Sequence, residues 1–355
     1  MSTIERPLTS PQAQALALLI GVAGGLAAYG VGMPLPWMLG PMITTTIAAM
    51  MHVPVRAPAQ LRPIVIPVIG VLLGSSVTAQ TFGLLQSWLV SLALLTVFLA
   101  CASAISYATY RRLGGYDKVT AFYAAMPGGL NEMLILGGQA GGDERRIALA
   151  HAARILVVIV FVALFFGLVL GVTSGARGAA RWIPLDALTL FDYTVLTGCA
   201  VIGNLIGTRL KIPAAPIFGP MILSGLAHIM AIVTVAPPSA FIIIAQITMG
   251  TIIGTRFAGA SVAQIRHDLG LAIIASLGML VVAVGFATLA AWASGIPISQ
   301  AFLAYSPGGL TEMSLLTLAL NQDVTYVSVM HIVRITVIIA VRCVQYVLIK
   351  TPEAG

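Results

Sequence analysis

Met126-Pro-Gly-Gly-Leu-Asn-Glu-Met133 returns 180 positions later as Ser306-Pro-Gly-Gly-Leu-Thr-Glu-Met313. Eighteen residues after each copy stands a histidine, His151 and His331, and three residues on an arginine, Arg154 and Arg334. Working outward, Gly40-Pro41-Met42-Ile43 recurs as Gly219-Pro220-Met221-Ile222, and Gly70-x-x-x-Gly74 as Gly250-x-x-x-Gly254. The chain therefore reads as two copies of one unit. Each unit is interrupted at Pro-Gly-Gly and carries an acid in an apolar setting, the pattern of a duplicated transporter.

Hydrophobic residues make up 59% of the 355 residues and charged residues only 8%, with a mean hydropathy of +1.02. That is too little charge to coat a soluble globule, so most of the surface is expected to face lipid. The net charge of +7 is read as the excess of lysine and arginine in cytoplasmic loops, and no nucleic-acid partner is expected. Cys101, Cys199 and Cys343 lie in apolar stretches with no metal-ligand spacing and are expected to be packing residues. Residues 1–11 lack the features of a signal peptide, so the first apolar stretch is expected to remain as an anchor.

Apolar stretches run at about 12–32, 36–52, 61–80, 84–110, 119–138, 146–173, 193–208, 214–235, 239–257, 269–294, 299–320 and 324–349. Crossing a bilayer takes about 20 apolar residues. The fifth and eleventh stretches are short and broken at their centres, and a broken backbone must face protein or a water-filled cavity. Positive charge follows stretch two (Arg56, Arg62), four (Arg111, Arg112, Lys118), seven (Arg209, Lys211) and nine (Arg256, Arg266). Keeping all four loops in the cytoplasm requires an even number of crossings between the loops after stretches four and seven. Stretch five then enters and leaves on one side, as does eleven by symmetry. The expectation is an all-α polytopic membrane protein of ten spans and two re-entrant hairpins. It divides into inverted repeats, 1–176 and 177–355, each with five spans and one hairpin. Both termini are cytoplasmic; Arg177 and Arg181 run against the charge rule. Twelve spans in parallel repeats is the competing arrangement.

Within the repeated motif, Pro127 and Pro307 remove an N–H, and Gly128, Gly129, Gly308 and Gly309 admit backbone angles closed to other residues. A helix is expected to stop at the proline and restart near the second glycine, with Asn131 or Thr311 satisfying the new N-terminus. Glu132 and Glu312 fall in the first turn of the restarted helix, where its dipole favours a carboxylate. Intramembrane carboxylates are rare and usually functional, although a glycine kink between packed helices uses the same residues. His151 and Arg154 share one helix face, as do His331 and Arg334. The arginines lie roughly 13 Å and 16 Å along their helices. At that depth an unpaired arginine costs about 2.5–3.5 kcal/mol, so Glu132 and Glu312 are the expected partners. The histidines could carry a proton, or the whole set could be a structural clasp. The glycine-rich Gly-x-x-x-Gly elements and the Gly-Pro pairs at Pro41 and Pro220 read as scaffold.

The duplicated Pro-Gly-Gly-Leu-x-Glu-Met with its trailing His-x-x-Arg resembles the AbrB duplication family of bacterial inner-membrane proteins, over nearly the whole chain. Members carry divergent labels: ammonia monooxygenase, regulator of gene expression, transporter. A small soluble DNA-binding regulator shares the name and is not similar to this chain. The resemblance implies a location in the bacterial inner membrane. A copper enzyme needs clustered ligands, and the histidines at 52, 151, 228, 267 and 331 include no close pair, so no catalytic residue, metal or cofactor is expected. There is no G-x-x-x-x-G-K-[ST] loop for ATP. The expected function is secondary transport of a small solute, coupled to protons or sodium. The site is Pro127, Gly128, Gly129, Asn131, Glu132, Pro307, Gly308, Gly309, Thr311 and Glu312, with His151, Arg154, His331 and Arg334 balancing charge. Expected partners are the lipid bilayer, the solute and a second copy of the chain; an indirect role in gene expression is the alternative.

Overall fold

A computed structural model describes residues 10–33, 35–78, 85–166, 182–212, 214–258, 262–320 and 322–349. The boundary between the repeats, Arg177, Arg181 and Lys350 fall outside the described residues, as does the Asn131 side chain. Among the described residues the regular structure is helical. The first half holds α1 (Ser10–Gly30), α2 (Pro36–Met50), α3 (Arg62–Ser75), α4 (Leu85–Ala108), α5 (Lys118–Ala125), α6 (Leu130–Gln139) and α7 (Glu144–Leu164). The second follows the same order with α8 (Leu190–Arg209), α9 (Ala215–Ile229), α10 (Ser239–Gly254), α11 (Val262–Ser294), α12 (Ile298–Tyr305), α13 (Leu310–Ala319) and α14 (Val324–Ile349).

The correspondence extends to single backbone torsions. Gly32, Leu35, His52 and Gly115 have positive φ, and so do Lys211, Ala214, Ala231 and Gly295, which stand 179 or 180 positions later. Left-handed backbone is costly for a residue with a Cβ, so its return at matching non-glycine positions reflects the same local geometry built twice. Leu35 and Ala214 turn the chain just before α2 and α9, each of which starts at or beside a proline.

By length and composition, five described stretches can cross a membrane: Ser10–Gly30, Gln86–Leu113, Leu190–Arg209, Ser239–Phe257 and His267–Ser294. Their apolar side chains also face outward; Leu19, Val281 and Trp292 are 67%, 73% and 84% exposed. A surface that apolar is a lipid-facing surface, and the molecule is a helical membrane protein. The remaining helices depart from this pattern for local reasons. Pro41, Pro67 and Pro220 interrupt α2, α3 and α9, and α7 carries Arg154 near its middle.

The two halves interlock around one core. Met38, Leu73, Met221 and Met249 belong to a single buried cluster. In the first half, Gly70 and Gly74 of α3 lie against the Ile217 and Met221 carbonyls of α9, while Gly250 and Gly254 of α10 lie against the Met38 and Met42 carbonyls of α2. A second matched pair, Gly24 with Gly40 and Gly203 with Gly219, brings α1 onto α2 and α8 onto α9 at backbone contact. Small residues let helix backbones approach where lipid supplies no hydrophobic drive, so these glycines act as scaffold.

Candidate functional site

Both broken stretches turn back on themselves. The Asp143 N–H donates to the Thr120 hydroxyl at 2.8 Å, joining the start of α5 to the residues just past α6. In the second half the Ser299 hydroxyl donates to Gln322 at 2.9 Å, joining the start of α12 to the residues just past α13. A continuous helix of about 20 residues would hold those ends about 30 Å apart. Helices α5 and α12 stop at Ala125 and Tyr305, and α6 and α13 restart at Leu130 and Leu310. The residues preceding the prolines, Met126 and Ser306, are extended, as the pyrrolidine ring requires.

The carbonyls freed at the first helix end go to the His-x-x-Arg element. The Arg154 guanidinium donates to the Met126 carbonyl at 2.8 Å and the Gly128 carbonyl at 3.4 Å. Arg334 repeats this on Ser306 at 2.8 Å and Gly308 at 2.6 Å. His151 Nε2 donates to the Tyr123 carbonyl at 2.9 Å, and His331 Nε2 to the Leu303 carbonyl at 3.2 Å. All four side chains are buried. A cation at the C-terminal end of a helix satisfies orphan carbonyls and the dipole together. Sequence reasoning paired these arginines with Glu132 and Glu312, and the structure corrects that: the terminal nitrogens of both donate to carbonyls of their own hairpin, and each Nε is buried without a partner among the described residues. One difference separates the copies. Arg154 also donates to His151 Nδ1 at 2.9 Å, whereas His331 Nδ1 is buried without a partner among the described residues.

The glutamates serve the other helix end. Gly129 and Gly309 are the N-caps of α6 and α13, so Thr311 does not cap its helix as expected. Instead the carboxylates of Glu132 and Glu312 fold back over these glycines and occupy the space a Cβ would fill. Neither glycine has a positive φ; its absent side chain makes room for the acid. The preceding glycines, Gly128 and Gly308, are packed under Met133 and Met313 in the same way. Each hairpin thus places one arginine at the end of one half-helix and one glutamate at the start of the next.

One cavity of about 400 Å³ collects the acid ends of both hairpins: Gly129, Glu132, Gly309, Thr311 and Glu312 all line it. The copies are not equivalent there, because Glu132 is exposed and Glu312 only 5% exposed. Pro127, Pro307, Gly128, Gly308 and the four His-x-x-Arg side chains are not among the residues that line this cavity. The cavity also brings in two residues that sequence reasoning had counted only as loop charge, Arg62 at the start of α3 and Arg256 just beyond α10. A signal for them existed: at the repeat displacement they correspond to Ile242 and Ser76, so they break the duplication.

Fold and site together define a duplicated, polytopic helical membrane protein with a charged cavity between two broken-helix hairpins. Residues 37–349 match the family model described as "Transition state regulatory protein AbrB", and the chain belongs to that AbrB family. It is 23% identical over 343 residues to "Uncharacterized protein YhjN" of Bacillus subtilis (strain 168), covering 91% of this chain and 89% of the relative. It is 24% identical over 322 residues to "Putative regulator AbrB" of Escherichia coli (strain K12), covering 90% of each.

Proposed function

We propose that the protein is a secondary transporter of the bacterial inner membrane, built from two inverted repeats, 1–176 and 177–355. In this reading each repeat has five spans and one re-entrant hairpin, both termini are cytoplasmic, and Glu132 and Glu312 bind the coupling proton or sodium ion. The observation that carries it is the convergence of both glutamates, 180 positions apart, on one cavity. Half-helix ends meeting inside a bundle are the arrangement with which several transporter folds hold ions and polar solutes. In this topology Arg62, Arg256 and the turn at Ala214 all belong to cytoplasmic ends, so the cavity opens inward.

The regulator named among the relatives fits the same reading indirectly: moving a metabolite across the membrane changes transcription without DNA contact. We assign no catalytic role and no cofactor. The test is uptake of a labelled small-metabolite extract into proteoliposomes, with and without an inward proton or sodium gradient. Gradient-driven accumulation that Glu132→Gln and Glu312→Gln each abolish, while the protein stays inserted, is the expected result. Unchanged accumulation in both variants removes the glutamates from the mechanism. No accumulation under either gradient overturns the transporter reading itself.

A further inference from the structure

The geometry points to the class of solute: a small organic monocarboxylate with an apolar body, its carboxylate held between Arg62 and Arg256 of the cavity at the hairpin tips. This deepens the transporter reading and rests on it. The two arginines arrive from different halves, one at the start of α3 and the other at the end of α10, and line the same space. Glu312 lines that space with them. With Glu132 and Glu312 ionised, two cations and two anions balance, and an added anion is unwelcome. Once a proton or cation neutralises one glutamate, the cavity carries one net positive charge and accepts one anion. Cation and anion would then enter together, a charge-balanced route to coupling.

The second observation is Thr311, which is 8% exposed, lines the cavity and has no hydrogen-bond partner among the described residues. A carboxylate oxygen bound in the cavity can accept from this hydroxyl. The rest of the wall is aliphatic, with Ile66, Ile217, Met249, Ile252 and Ile253 around the charged groups. Such a lining favours a carbon body of a few atoms over a fully hydrated inorganic anion. Arg154 and Arg334 are not among the residues that line the cavity, and their terminal nitrogens donate to the hairpin carbonyls.

The test uses the full chain in nanodiscs and three probes of matched shape, valerate, valeramide and pentylamine, with inorganic phosphate as a fourth, read by thermal stabilisation. Valerate should raise the melting temperature and the other three should not. Arg62→Gln and Arg256→Gln should each weaken the valerate effect at least tenfold in apparent affinity, while Arg209→Gln, outside the cavity, leaves it intact. Glu312→Gln, which removes the negative charge permanently, should keep or tighten valerate binding even though coupled uptake fails. Arg256→Lys guards against misfolding, since it restores the charge and should recover part of the affinity. Equal stabilisation by phosphate, stabilisation by valeramide or pentylamine, no response to any probe, or a valerate effect that survives both arginine substitutions overturns the assignment. A pentylamine response lost in Glu312→Gln would overturn the anion while leaving a transporter standing.

Discussion

Within Pro-Gly-Gly-Leu-x-Glu-Met the proline, the two glycines and the glutamate have separate physical tasks. The proline ends one half-helix, the first glycine admits the methionine, the second admits the folded-back carboxylate, and the glutamate answers the dipole of the next half-helix. The role of the second glycine can be tested alone. In Gly309→Ala the new methyl meets the Glu312 carboxylate, the mobile end of a side chain, and no backbone atom is among its nearest contacts. Stability should therefore stay within about 1 kcal/mol of wild type, because the acid can swing away. Gradient-driven uptake, by contrast, should fall as sharply as in Glu312→Gln. A variant that unfolds, or one that transports normally, would show that the glycine serves the backbone instead. The break and the placement of the acid in a first turn were legible from the residues alone. The glycine–carboxylate contact was not, since a motif does not report the rotamer of a side chain three residues on.

Helix pairs divide by whether a glycine meets backbone or open space. On α8, Gly203 lies against the Gly219 backbone, whereas at Gly198 a Cβ would find no heavy atom of a neighbouring element within 4 Å. Gly203→Ala and Gly219→Ala must push two helices apart and should each cost about 1–3 kcal/mol. Gly198→Ala, on the same helix, should be neutral or stabilising by up to about 1 kcal/mol through helix propensity. Unfolding of the reconstituted protein in denaturant measures both. Equal effects at Gly198 and Gly203 would mean that propensity, and not close packing, governs these positions. Sequence reasoning reached the scaffold role of the small-residue motifs, but it did not say that each motif docks on a helix of the opposite half.

At the scale of the whole molecule the proposed topology fixes how the halves sit in the bilayer. Inverted repeats put the exits of the two hairpins on opposite faces. In a background lacking Cys101, Cys199 and Cys343, Gln139→Cys should react with an impermeant thiol reagent only after permeabilisation, and Gln322→Cys from outside intact cells. Labelling of both from one side would mean parallel repeats and would dissolve the facing-hairpin site. The unequal exposure of Glu132 and Glu312 has a meaning only under inversion. Exchanging the conformations of the halves would bury the first acid, expose the second and turn the cavity to the other face.

The repeated motifs, the broken helices and the membrane setting were readable from one chain, because each follows from local chemistry: a missing N–H, a missing Cβ, apolar length. The partners of Arg154 and Arg334 were not, since spacing shows that a charge needs an answer but not which group supplies it. Backbone carbonyls 26 to 28 residues away answered them, and carbonyls carry no mark in a sequence. Nor could the sequence bring Arg62 and Arg256 to one cavity, because that depends on α3 and α10 crossing into the opposite half through glycine contacts. Local rules set where the chain breaks; packing between distant helices sets which charges face each other across the break.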